Sequence, residues 1–174
     1  MLRFPFAASR VVVALLALAA PHVVSAQGAG AKETGRSFRD WREACEPARR
    51  GGGEVCFAFQ RLQYKGKTAA NFSVGFKGGR NTPTAVVNMP LGAILLPEGL
   101  RIIVDNGMEA WAAFRSCDRA GCHVETEIES KLLDAMKAGA DATIVVRDLE
   151  GREVRLTLSL RGFTAALDGI RASR

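Results

Sequence analysis

The sequence predicts a mainly β protein: a single-domain antiparallel β-sandwich or partly open barrel, with one or two short helices and two disulfides. Three observations carry this. Short apolar or alternating runs recur about every ten residues, with Gly, Pro, Asn and Asp clusters between them. The periodicity changes from two to helical only late, at Ser130–Gly139. Four cysteines, Cys45, Cys56, Cys117 and Cys122, form an even set.

The first 26 residues read as a secretory signal peptide. Arg3 and Arg10 form a positive start, Val11 to Ala20 is an unbroken apolar run, and Val24-Ser25-Ala26 supplies small residues for cleavage before Gln27. The run is shorter than the ~20 residues that span a bilayer. No second long apolar run follows, so no stable membrane span is expected after cleavage. The mature chain would then hold 148 of the 174 residues, enough for one domain with a sizeable core. Loss of Arg3 and Arg10 leaves 22 basic against 18 acidic residues, a net charge near +4. The basic residues are scattered rather than clustered, so no nucleic-acid partner is expected.

Export places the cysteines in an oxidising compartment, where disulfides are the default. Pairing of neighbours in sequence gives Cys45–Cys56 and Cys117–Cys122, although other pairings are formally possible. A four-cysteine zinc site normally uses C-x2-C knuckles, which are missing here. Loop-closure entropy assigns about 3 kcal/mol to the longer loop and about 2 to the shorter as upper figures.

Residues 27–37 read as a flexible lead, and 38–171 as the β domain. Phe38–Cys45 reads as a first short strand. Pro47 and Gly51-Gly52-Gly53 make a turn into a strand at Val55–Gln63. Asn71–Phe76 alternates, with Phe72, Val74 and Phe76 on one side. Thr84–Met89 ends at Pro90, a short Ile94–Leu96 run follows, and Leu100–Asp105 turns through Asp105-Asn106-Gly107 into Met108–Ser116. Cys117 to Cys122 reads as a turn stapled across a hairpin, with Val124–Ile128 as its second strand. Ser130 is the expected N-cap of a helix with Leu132, Leu133 and Met136 on one face, and Gly139 its stop. Ala142–Arg147 and Val154–Leu160 are strands, and Thr164–Ile170 a last helical turn or two.

Catalytic chemistry finds little support. His123 is the one histidine left after cleavage, and it directly follows a cysteine expected to be oxidised. Glu125, Glu127 and Glu129 share a face by their i, i+2 spacing, which fits the wet side of a strand better than an acid/base pair. The glycine runs lack the strand–glycine–helix setting of a phosphate loop. Cys117 and Cys122 are separated by four residues on strand-like flanks, unlike the C-x-x-C of redox enzymes. No catalytic residue, metal ligand or cofactor is expected. A periplasmic thiol–disulfide or hydrolytic enzyme is the alternative.

Five segments occur in order: Asp40-Trp41 with Cys45; Cys56-Phe57-Ala58-Phe59-Gln60; Pro90-Leu91-Gly92 with Leu96-Pro97-Glu98-Gly99-Leu100; Phe114-Arg115-Ser116-Cys117 with Gly121-Cys122; and Ser159-Leu160-Arg161-Gly162-Phe163-Thr164-Ala165-Ala166-Leu167. Together they resemble the invasion-associated locus B family of exported bacterial proteins, from about Phe38 to Leu167. The resemblance implies a periplasmic, outer-envelope or secreted protein of a Gram-negative bacterium, with a possible role in host-cell invasion. It supplies no catalytic residues. The expected function is therefore a non-enzymatic envelope protein that binds an envelope component or an envelope or host protein of unknown identity, in an unknown oligomeric state. Arg101, Arg115, Arg119 and Arg161 form the candidate binding surface; their convergence on a concave face would favour an anionic partner.

Overall fold

The computed structural model describes residues 31–48, 53–78 and 80–173. The expected signal segment and the start of the lead lie outside them. Eleven strands and two helices follow in order: β1 (Lys32–Phe38), β2 (Trp41–Pro47), β3 (Glu54–Tyr64), β4 (Lys67–Phe76), β5 (Pro83–Met89), β6 (Leu100–Val104), β7 (Glu109–Ala112), β8 (Phe114–Asp118), β9 (Gly121–Glu127), α1 (Ser130–Ala138), β10 (Asp141–Arg147), β11 (Glu153–Ser159) and α2 (Phe163–Ala172). They form a seven-stranded sheet, β1-β2-β3-β4-β5-β9-β8, and a four-stranded sheet, β11-β10-β6-β7. All pairings are antiparallel. The sheets do not close into a barrel.

Alternation decides which side of each strand is dry. Phe72, Val74 and Phe76 of β4, Ala85, Val87 and Met89 of β5, Ile144 and Val146 of β10, and Leu156 and Leu158 of β11 share one buried core. Four strands cannot cover seven. The uncovered share goes to α2, which packs against β1 to β4 and buries Phe163, Ala166, Leu167 and Ile170. Trp41 is fully buried there, 5.3 Å from the Phe163 ring and edge-on to Phe72 at 6.0 Å.

Both expected disulfides are present, each joining directly opposed residues of adjacent strands. The hairpin at Cys117–Cys122 is as read from the sequence.

Four readings change. The lead was expected to run to residue 37, but Lys32–Phe38 is a strand paired with β2. Its side chains are almost all exposed, so it carries no alternating apolar signal. Polar contacts hold it instead: Glu43, only 2% exposed, accepts from Arg36 Nη1 at 3.0 Å and Thr34 Oγ1 at 2.8 Å. The strand expected from Phe38 is broken by a turn at Arg39-Asp40, with Arg39 at φ 57°. Met108–Ser116 is two strands; the chain leaves the small sheet as β7 and joins the large one as β8 after Ala113. The N-cap of α1 is Glu129 rather than Ser130, without a side-chain cap bond.

Candidate functional site

Four of the five segments that carry the resemblance separate into two groups at opposite ends of the β10–β11 hairpin; the fifth is the Cys117–Cys122 hairpin of β8 and β9 in the large sheet. The first gathers around Ser159 at the end of β11. Gln60 from β3 donates through Nε2 to the Ser159 carbonyl at 2.7 Å and accepts the Ser159 N–H at 3.2 Å. Its amide thus satisfies both backbone groups of an edge residue, as a neighbouring strand would. Trp41 Nε1 donates to the same carbonyl at 3.1 Å. Ser159 Oγ donates to Asp40 Oδ2 at 2.7 Å, and Arg161 Nε reaches the same oxygen at 3.1 Å. Both contacts hold the Asp40 carboxyl below its ordinary value, the Ser159 hydroxyl most strongly. Gly162 sits at φ 89°, and a Cβ there would lie 2.0 Å from the Phe38 carbonyl. Asp40, Trp41, Gln60, Ser159, Arg161 and Gly162 therefore tie the two sheets and α2 together, which is structural work.

The second group is exposed. Pro90-Leu91-Gly92 and Leu96-Pro97-Glu98-Gly99 form the loop between β5 and β6, with a single 3₁₀ turn at Leu96–Glu98 where the sequence showed a short apolar run. Leu95 donates to the Arg147 carbonyl at 2.9 Å, and Glu98 pairs with Arg147 at 3.6 Å. The loop is thus fixed to the far end of β10, next to the β10–β11 turn that carries Leu149. Trp111 on β7 donates its indole N–H to the Glu98 carbonyl at 2.9 Å and packs over Gly99. Four large apolar side chains of this loop, β7 and the β10–β11 turn, together termed the rim, are open to solvent: Trp111 at 59%, Leu149 at 56%, Leu91 at 55% and Leu96 at 39%. Around them lie ion pairs of both signs. Arg101 bridges Glu109 and Glu153, and Arg152 bridges Asp148 and Glu150. Apolar anchors within a charge-balanced polar border match the anatomy of a protein-binding surface.

Of the four candidate arginines, Arg101 and Arg161 lie at opposite ends of β11. Arg101 is held beside Trp111, its cross-strand neighbour, by Glu109 and Glu153. Arg161 is held by Asp40 beyond the other end of β11, roughly 20 Å away along the strand. Arg119 is exposed in the β8–β9 turn, and Arg115 is exposed on β8.

His123 stands on the outer face of the large sheet. Asn88 Nδ2 donates to its Nδ1 at 3.2 Å. Its Nε2 lies 3.0 Å from Asp118 Oδ1 but off the line of the ring N–H, so that contact is electrostatic more than directional. The imidazole, followed by the Ala120 N–H, draws the Asp118 carboxyl below its ordinary value. Of the three glutamates, Glu125 pairs with Lys77 and Glu127 with Arg80, while Glu129 lies beyond the strand. Among the described residues, no three His, Cys, Asp or Glu side chains gather as a metal site, and no helix is long and apolar enough to cross a membrane.

The rim was half visible in the sequence. Its loop stood out as a motif, but Trp111 looked like one more strand residue. Alternation within β7 turns Trp111 outward with Glu109, and the edge position of β7 leaves the indole uncovered.

A family model described as Invasion associated locus B (IalB) protein matches residues 41–171. No curated protein matches the chain. Among solved structures, the crystal structure of invasion associated protein B from Bartonella henselae is similar in fold. Its TM-score is 0.67 at 22% identity, over 79% of this chain and 95% of that one.

Proposed function

The chain belongs to the invasion-associated locus B family, and on that premise we propose that it is a non-enzymatic, exported protein of the cell envelope that binds another protein through its exposed rim. The observation that carries this reading is Trp111. A tryptophan 59% exposed on a strand, anchored by its own indole N–H, is oriented yet uncovered. Tryptophan is the side chain most enriched among residues that dominate binding energy. The periplasm is the expected location, supported by the charged, apolar and small-residue order of the first 26 residues. Invasion of host cells is not needed to account for any of these features.

The test is capture from a periplasmic extract with immobilised mature protein, the paired variant Trp111→Ala with Leu96→Ser, and a variant of the opposite face, Arg61→Ala. The proposal expects a partner held by wild type and Arg61→Ala and lost by the rim variant, with all three melting alike. Equal capture by the rim variant would refute it.

A further inference from the structure

A second feature lies at the other end of β5 from the rim loop. There the outer face of the large sheet is hollowed between the turn preceding β5, strand β9 and strand β8. Lys77 and Arg80 form one wall and Arg115 the other, with Glu125 and Glu127 of β9 between them. Lys77 Nζ pairs with Glu125 Oε1 at 2.5 Å, and Arg80 pairs with Glu127. Beneath these pairs is Thr84, directly opposite Glu127 in the β5–β9 register and only 6% exposed.

Two polar groups here are unmatched among the described residues. Thr84 is only 6% exposed as a residue and lines the hollow, and its hydroxyl makes no hydrogen bond to another described residue; its oxygen is not sealed from solvent, so a ligand in the hollow can reach it. Arg115 is a guanidinium with no carboxylate partner, whereas Lys77 and Arg80 each have one. Both unmatched groups donate. The acceptor that suits an O–H and a planar guanidinium together is an oxygen anion with several lone pairs. The glutamates oppose such a ligand, but each is already engaged by a cation, and exposed ion pairs of this kind give way readily.

We propose that this hollow is an oxyanion site, taking a phosphate or carboxylate group between the Thr84 hydroxyl and the Arg115 guanidinium, with Lys77 and Arg80 turning in from the wall. This is separate from the rim and does not depend on it. Phosphate reaches an envelope protein free or on a lipid headgroup, and carboxylate on cell-wall peptides; all share the chemistry the site recognises.

The test is titration of the mature protein at low ionic strength, followed by amide chemical shifts, with inorganic phosphate, acetate and phosphatidylglycerol vesicles as three arms. Saturable shifts at residues 84, 115 and 125–127 are expected in at least one arm, and the arm that saturates lowest identifies the source. Thr84→Val keeps shape and charge, and should weaken binding about fivefold or more. Arg115→Ala should weaken it about tenfold. Glu127→Gln removes an opposing charge and should tighten it. No saturation in any arm would overturn the proposal. So would Thr84→Val binding like wild type, which would reduce the effect to net charge, or weaker binding by Glu127→Gln.

Discussion

Gln60 shows how a single side chain takes the place of a strand. Its amide supplies both partners that the Ser159 backbone would otherwise lack. Each such bond contributes about 1 kcal/mol net, so Gln60→Ala should lower the urea unfolding free energy by about 2 kcal/mol. Trp41 still covers the Ser159 carbonyl in that variant, which limits the loss. Gly121 is constrained more tightly. It has φ 141°, and a Cβ would stand 2.3 Å from the Met89 carbonyl. Gly121→Ala should therefore cost roughly 3 kcal/mol, read in the same denaturation. Asp105 gives a pH signature. Its Oδ2 accepts the Ala140 N–H at 2.8 Å and the Asp141 N–H at 3.1 Å, and these bonds, Ala140 first, hold its carboxyl below the ordinary aspartate value. With the folded value the lower one, the stabilisation is fully present above about pH 4 and fades as pH falls through the folded value. Asp105→Asn should be less stable than wild type at pH 7, and the gap in urea midpoint should narrow at pH 3.

At the scale of elements, the two staples have different settings. Cys45–Cys56 closes the longer loop and Cys117–Cys122 the shorter, with sequence separations of 11 and 5. Replacing each pair by serines should cost about 3 and about 2 kcal/mol respectively. Sequence patterning located β3 to β6, β9 to β11 and both helices, because each has a wet and a dry side to alternate or rotate between. It missed β1, whose residues are polar on both faces and which is fixed by Arg36, Thr34 and Glu43 rather than by burial. It also merged β7 with β8. The alternation passes through Ala113 unbroken, and nothing local reveals that the strand changes sheets there. Edge position and sheet switching are tertiary properties, and the edge position of β7 leaves the Trp111 indole uncovered.

Over the whole molecule, the resemblance segments divide between structure and surface, with the Cys117–Cys122 hairpin stapling β8 to β9. Asp40, Trp41, Gln60, Ser159, Arg161 and Gly162 lock the sheets and α2 into one body; Leu91, Leu96 and Trp111 face outward from it, while Ile94 of the same loop joins the core. The arginines could not be sorted from sequence, because ion partners such as Glu153 for Arg101 and Asp40 for Arg161 are far along the chain. The division of labour predicts that damage to the Ser159 end lowers stability and damage to the rim lowers binding. Site-specific photocrosslinking in living cells tests this most directly. A photoreactive residue at positions 96, 111 and 149 should each trap the same partner, and one at position 55 or 61, on the outer face of the large sheet, should trap none. Crosslinks arising from 55 and 61 but not from 111 would contradict the account.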